Sequence, residues 1–268
     1  MGFRNHVARF AVVAPLALGM AIGMSSVAFA QESTPSATPS SDMGASDMGV
    51  CSEALHIGAA GDACINVVHA SPDAPAVDVY LDGAKALSNL AFGSFSGWVA
   101  VPAGKHQIQV TATGSDPSTA VIDADAELTA DAAYEVAAVG LLANIKPAIF
   151  QVDLSDVGTA TDAMSRIRVI HASPDAPAVD VAVKGGDVLI SDLAFPDASD
   201  ALDVPAGSYD LEVRPTGTMD VALALPGVSL EQGMVYDVFA IGLLADGSLS
   251  VLVVPSTTAV AAMATPTS

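Results

Sequence analysis

Between residues 62 and 254, hydrophobic and polar positions alternate in short bursts separated by turn residues. Residues 77–81, VDVYL, alternate strictly and stop at Asp82-Gly83, the pattern of a half-buried strand running into a turn. Residues 65–70 and 166–172 are runs rich in Val and Ile. Residues 98–101 and 106–111 flank a Pro-Ala-Gly-Lys stretch and predict strand, tight turn, strand. Residues 134–142 form a longer apolar strand, and residues 149–154 close the unit. No segment carries a convincing helical period. About seven short strands in roughly ninety-five residues, with a turn signal about every eight to twelve positions, predict a sandwich. A domain of that size buries a sufficient core without staples.

The pattern occurs twice. HASPDAPAVDV runs from His69 to Val79 and again, letter for letter, from His171 to Val181. Leu-Ala-Phe at residues 90–92 returns at 193–195, Val-Pro-Ala-Gly at 101–104 returns at 204–207, and YEVAAVGLLAN from Tyr134 returns as YDVFAIGLLAD from Tyr236. Offsets of 102 or 103 are too long for a solenoid unit and right for a duplicated domain. The expected fold class is all-β, with two tandem immunoglobulin-like β-sandwich domains. The first occupies residues 51–157 with its lead-in, residues 158–163 link, and the second occupies residues 164–254.

The ends differ in composition. Arg4 and Arg9 precede an apolar stretch that closes on Ala28-Phe29-Ala30. That is the arrangement of a signal peptide over residues 1–30, cleaved before Gln31. The rival, an uncleaved anchor, has the length to span a bilayer, but Pro15 and the small-residue ending favour cleavage. Residues 31–50 and 255–268, rich in Ser, Thr, Pro, Ala or Gly, predict a disordered linker and a disordered tail. The expected product is exported, with no membrane span in the mature chain.

Charge narrows the partners. Of nine Lys and Arg two lie in the leader, leaving seven against thirty Asp and Glu and a mature net charge of about −23. Such a chain does not suit nucleic acid, whose phosphates need cations on the protein, or anionic lipid. Cys51 and Cys64 are the two cysteines. In an exported protein they predict a disulfide pinning the lead-in onto the first repeat; their spacing, with only His56 between them, matches no zinc pattern.

The repeated stretch carries the candidate chemistry. Ser71-Pro72-Asp73-Ala74-Pro75 is a stiff turn, since two prolines fix φ and Ser and Asp cap backbone N–H groups. If the flanking strands pair across it, His69 faces Asp78. One reading is a ligand or divalent-metal site of His69, Asp73 and Asp78, repeated as His171, Asp175 and Asp180, because imidazole with carboxylates suits such ions. The other is structural: His ties the loop and Asp caps the turn, which needs no ligand and is favoured here. Asp123, Asp125 and Glu127 suggest calcium, but lack the glycine and final glutamate of an EF-hand loop. Their counterparts, Leu225, Gly227 and Ser229, carry no acid, so an acidic turn or strand edge is favoured. His106 aligns with Tyr209 and is no shared base; Trp98 suits a core position better than a sugar platform. Residues 93–97, GSFSG, place Phe95 where a nucleophile elbow needs Ser. No zinc-protease, phosphate-loop or dinucleotide motif occurs, and no cofactor is implied.

HASPDAPAVDVYLDG, the VPAG turn and YEVAAVGLLA resemble the bacterial family called domain of unknown function 4397. The resemblance spans both repeats. It implies exported or surface-associated β-sandwich domains, often in tandem, with no established activity and no catalytic residues to carry over. The expectation is a non-catalytic protein, secreted or at the cell surface, working as a structural or adhesion module. Its expected partners are cell-envelope or extracellular proteins or polysaccharides. The alternative is a divalent-cation or small-ligand binding module that uses the duplicated loop.

Overall fold

The computed structural model describes residues 50–155 and 163–257. The expected leader (1–30), nearly all of the linker at 31–50, most of the link at 158–163 and most of the tail at 255–268 lie outside the described residues. A four-residue helix, α1 (Val50–Glu53), precedes the first sandwich, which is built from β1 (Asp62–His69), β2 (Val77–Leu81), β3 (Ala84–Leu90), β4 (Ser94–Pro102), β5 (Gly104–Ala112), β6 (Ile122–Leu128), β7 (Ala133–Val139) and β8 (Lys146–Val152). The second sandwich repeats it as β9 (Met164–His171), β10 (Val179–Val183), β11 (Val188–Leu193), β12 (Leu202–Pro205), β13 (Gly207–Pro215), β14 (Leu223–Leu230), β15 (Met234–Ile241) and β16 (Ser250–Thr257). Strand β16 runs to Thr257, past the residue where the sequence pattern ends.

The two sheets of the first sandwich have the orders β4-β1-β7-β8 and β3-β2-β5-β6, and those of the second follow suit as β12-β9-β15-β16 and β11-β10-β13-β14. All pairings are antiparallel except β1 with β7 and β9 with β15. Eight strands per repeat exceed the expected seven because β3 and β11 have no alternating buried face to mark them. β3 reads AKALSNL and is mostly exposed at a sheet edge.

The pairing of β1 with β2 across the HASPDAP turn does not occur, and this corrects the expected His69–Asp78 neighbour pair. Both edges of β1 are already taken, by β4 and β7, while β2 lies in the other sheet between β3 and β5. Two prolines without N–H groups cannot extend a ladder, and the chain instead crosses the end of the sandwich from one sheet to the other. The Val-Pro-Ala-Gly turn likewise passes between sheets, since β4 pairs with β1 and β5 with β2 and β6.

Each sandwich has its own aliphatic core, Val67, Val79, Ile108 and Val136 in the first and Val169, Val181, Val213 and Val238 in the second. A third core lies between the repeats. Val68, Ala70, Ala137 and Val139 of the first pack with Ile170, Ala172, Phe239 and Ile241 of the second. These are the same positions in each copy, so the contact is isologous about an approximate two-fold axis. A fourth cluster joins Ala133, Val152 and Leu154 to Val235 and Met164 and receives Ala54 from the lead-in. The ends of β1 and β9 therefore meet in one cluster and the starts of β7 and β15 in the other. The axis runs along the strands, and the repeats point the same way.

This packing explains a departure from period-two burial. All seven residues of β7 are buried, as are seven of eight in β15. One face of each strand enters its own sandwich and the other enters the partner repeat, as in sheets covered on both sides. Around the rim, the indole N–H of Trp98 donates to Ser256 Oγ at 2.9 Å, and Thr257 Oγ1 donates to the Ala54 carbonyl at 2.8 Å. The expected disulfide joins Cys51 to Cys64, with Cα atoms 5.7 Å apart. It pins a lead-in that packs on both repeats and not on the first alone.

Phe239 is fully buried between the repeats. We expect Phe239→Ala to cost about 3–5 kcal/mol in urea unfolding, with Trp98 fluorescence and far-ultraviolet dichroism still reporting one transition. A cost near zero, or two separated transitions in the wild type, would show that the repeats do not share a core.

Candidate functional site

The sequence directs attention to the turn after β1 and its copy after β9. In the first, His69 Nε2 lies 3.0 Å from the Pro75 carbonyl, and Nδ1 lies 3.4 Å from the Ser71 amide. A carbonyl only accepts and an amide N–H only donates, so the proton sits on Nε2 and the ring is neutral. The second copy repeats this geometry, with His171 Nε2 3.0 Å from the Pro177 carbonyl and Nδ1 3.3 Å from the Ser173 amide. Each ring also meets a phenylalanine edge to face, His69 with Phe92 and His171 with Phe195. Burial pushes the His69 pKa down, against the opposing pull of the Pro75 carbonyl.

The four carboxylates also accept hydrogen bonds from backbone amides. Asp78 is buried and accepts from the amides of Asn89 (2.9 Å) and Gly114 (3.0 Å) and from Lys85 Nζ (2.6 Å). Lys85 above all, then the two amides, holds its pKa far below the usual carboxylate range. Asp180 accepts from the amides of Asp192 (2.9 Å) and Gly217 (3.0 Å), which lower its pKa in the same way. Asn89 and Asp192 take left-handed backbone, with φ of 57° and 54°, and the buried carboxylate fixes that kink in each copy.

Asp73 and Asp175 reach sideways to the turn after β7 and after β15. Asp73 Oδ1 accepts from Leu142 N at 2.7 Å, and Asp175 accepts from Leu244 N and Ala245 N at 2.8 and 2.9 Å. That neighbouring turn needs glycine: Gly242 has φ of 90°, and a Cβ there would lie 2.3 Å from the Ser248 carbonyl.

The six candidate ligands thus have separate jobs. His69 and His171 close their own loops, Asp73 and Asp175 tie two turns together, and Asp78 and Asp180 pin the neighbouring strands of their own sheet. No group of three or more His, Cys, Asp or Glu that could hold a metal ion occurs among the described residues. Both nitrogens of each imidazole are spoken for, so ligation of an ion would break a hydrogen bond in every copy.

The remaining candidates also find structural places. Asp123, Asp125 and Glu127 lie exposed on β6, at a sheet edge, where Asp123 accepts from Gln107 and Gln109. His106 donates to Asp82 Oδ2 and to the Pro102 carbonyl, both at 2.7 Å, and the Asp82 carboxylate raises its pKa. Tyr209 donates to the equivalent Pro205 carbonyl at 2.6 Å, so two different side chains do one job. Trp98 is half-buried on the rim between the repeats. Ser96, inside the GSFSG stretch, accepts from Val67 N and donates to the Gly97 carbonyl.

With this geometry in both copies, the match to known sequence families is decisive. The model described as Domain of unknown function (DUF4397) matches residues 63–164 and 165–265. The chain belongs to the DUF4397 family. No curated protein matches the sequence. Among solved structures, these DUF4397 repeats are similar to the Bacillus anthracis TIE protein at 8% identity and a TM-score of 0.23. That match covers 68% of this chain and 34% of that one, so this chain spans about a third of its length. They are also similar to a streptococcal virulence factor, described by its alpha-glucan binding, at 11% identity and a TM-score of 0.23, covering 74% of this chain and 98% of that one.

The outward face of the DUF4397 turns is solvent-exposed. The axis along the strands brings both turns, and both neighbouring Gly-Leu-Leu-Ala turns, to one end of the molecule. Pro75, Leu142, Pro177 and Leu244 are exposed there, beside the exposed Asp73 and Asp175.

His69→Ala removes the donor to Pro75 and leaves a void beside Phe92. We expect a loss of at least about 1 kcal/mol at pH 7.5. The His69 pKa is lowered in the folded state, so its contribution is complete above the unfolded value near 6.5 and fades as pH falls through the folded one. The loss measured by denaturant titration should therefore shrink at pH 5. A second check is metal content: chelation should leave the melting temperature unchanged. Two bound ions per chain, with a melting temperature that falls on chelation, would restore the metal reading of His69, Asp73 and Asp78 and their copies.

Proposed function

We propose that this chain is a non-catalytic, exported binding module. It works at the cell surface or in the extracellular space as a structural or adhesive component and engages a cell-envelope or extracellular protein or polysaccharide. The observation that carries this reading is the paired-turn end. Two identical loops are locked by their own histidines and aspartates, and the packing of the repeats delivers them side by side. A pre-formed surface of this kind loses little conformational entropy when a partner docks.

Further features support the reading. The disulfide between Cys51 and Cys64 suits an oxidising compartment. The excess of thirty acidic over nine basic side chains disfavours nucleic acid and anionic lipid as partners. A concavity in the first sandwich, lined by Ile65, Val67, Val79, Leu81, Val99 and Val136 among others, is aliphatic core space and offers no set of groups for acid–base or nucleophilic work.

The test is the double variant Leu142→Asp, Leu244→Asp. Both side chains are exposed, so stability should change by no more than about 0.5 kcal/mol. Retention of the protein on its own cells, and on immobilised envelope polysaccharide and envelope protein, should fall at least tenfold. The fraction that loses binding identifies the partner class. Undiminished retention with an intact fold would remove the paired-turn end from the function.

A further inference from the structure

The core between the repeats contains three ionisable groups in an otherwise apolar setting. Arg168 on β9 donates to both oxygens of Asp237 on β15, at 2.7 and 2.9 Å. It also donates across the interface to the Gln151 carbonyl on β8 at 2.6 Å, and its guanidinium lies over the Phe150 ring, 5.8 Å from the centroid. Glu135 on β7 is fully buried, and its nearest cationic nitrogen is Arg168 Nη2, 3.9 Å away. Neither Glu135 oxygen has a hydrogen-bond partner. From β1 the cluster is approached by Asn66, which is buried and uncharged. The next cation, Arg166, is committed to Asp153 and Asp203.

The duplication explains the imbalance. Glu135 and Asp237 occupy the same position in the two copies, and so do Asn66 and Arg168. The two-fold packing brings the acids of both copies together but supplies one guanidinium for two carboxyls. Asp237 holds it in a bidentate pair. A second carboxylate left unpaired in a dry interface is far too costly to persist as an ion. Burial, reinforced by the charge of Asp237, pushes the Glu135 pKa well up.

We propose that the interface between the repeats holds one proton on the Glu135–Asp237 pair and that its release at rising pH loosens the pairing of the repeats. The proton resides on Glu135 while Arg168 neutralises Asp237. When Glu135 ionises, the interface gains an uncompensated negative charge and is relieved by opening to water. Glu135 has a raised pKa in the folded state, so its stabilising contribution is complete below the unfolded value near 4.3 and is lost as pH rises through the folded one. The paired-turn surface depends on this interface for its spacing, so the same proton tunes how far apart the two loops stand.

The experiment is thermal melting of the intact protein at pH 5 to 9, with the emission of Trp98 as a second signal, since its indole bridges the repeats. Wild type and Glu135→Gln are compared at each pH, which cancels the contributions of the histidines. Within the titration window the wild type should lose about 3 to 5 °C per pH unit relative to the variant. Trp98 emission should shift to the red in the wild type alone. If Glu135→Gln does not fold, Asp237→Asn replaces it: with Asp237 neutral, Arg168 is released to Glu135, which then ionises, and the pH dependence should vanish. Parallel pH profiles for wild type and the folded variant would overturn the proposal.

Discussion

Burial of β1, β7, β9 and β15 on both faces is the constraint on which this architecture depends. Each sandwich could satisfy its own core and leave the outer face of its inner sheet to water. That face instead carries Val68, Ala70, Ala137 and Val139 in one copy and Ile170, Ala172, Phe239 and Ile241 in the other. Surfaces of that composition must be covered, and each repeat covers the other. Because the contact uses the same positions twice, one set of substitutions serves both sides. Small residues recur in this core, as at Ala70 and Ala172, while the large Phe239 stands at the position that Ala137 holds in the first copy.

The same symmetry sets the limits on change. Where a residue acts within its own repeat, the copies match or substitute an equivalent device. His69 and His171 close identical loops, while His106 and Tyr209 reach the same carbonyl by different chemistry. Lys85 bonds directly to Asp78 in one copy, whereas Asp180 in the other has Thr216 and the nearby charge of Arg214 beside the two amides that both copies share. Where residues meet across the axis, identity is not neutral. Two arginines facing two acids would balance, and two asparagines would leave both acids unpaired. The chain carries one of each, and the interface keeps a carboxyl without a counter-ion.

Much of the β structure was legible. The strict alternation of VDVYL, the turn punctuation and the duplicated stretches point to two sandwiches before any coordinates. Three features were not legible, each for a physical reason. The HASPDAP turn resembles a hairpin connection, yet whether two successive strands pair or cross between sheets depends on which edges are already occupied, and that is a long-range matter. The edge strand β3 has no buried face strong enough to mark it. The packing between repeats left its trace in the loss of period two along residues 133–139, where every position is buried. A single acid inside that run, matched by another at the same place in the copy, is the further sign that the face meets its own equivalent.

The candidate site shows how one repeated polar motif carries a chemical and an architectural reading side by side. Histidine and aspartate on a stiff loop are the raw material of a metal centre, but each requires a free lone pair aimed at a common point. Here each carboxylate accepts from at least one backbone amide, and each imidazole spends one nitrogen on a carbonyl and the other on an amide. Polar atoms of the motif reach three other parts of the repeat: the turn after β7, the kink in β3 and the loop after β5. Loss of His69 or Asp78, or of their copies, leaves a part-buried backbone group without its partner. The side chains of Pro75, Leu142, Pro177 and Leu244 lie on the outward side of the same turns and make none of these bonds, so changing them leaves the side-chain ties of the corner in place.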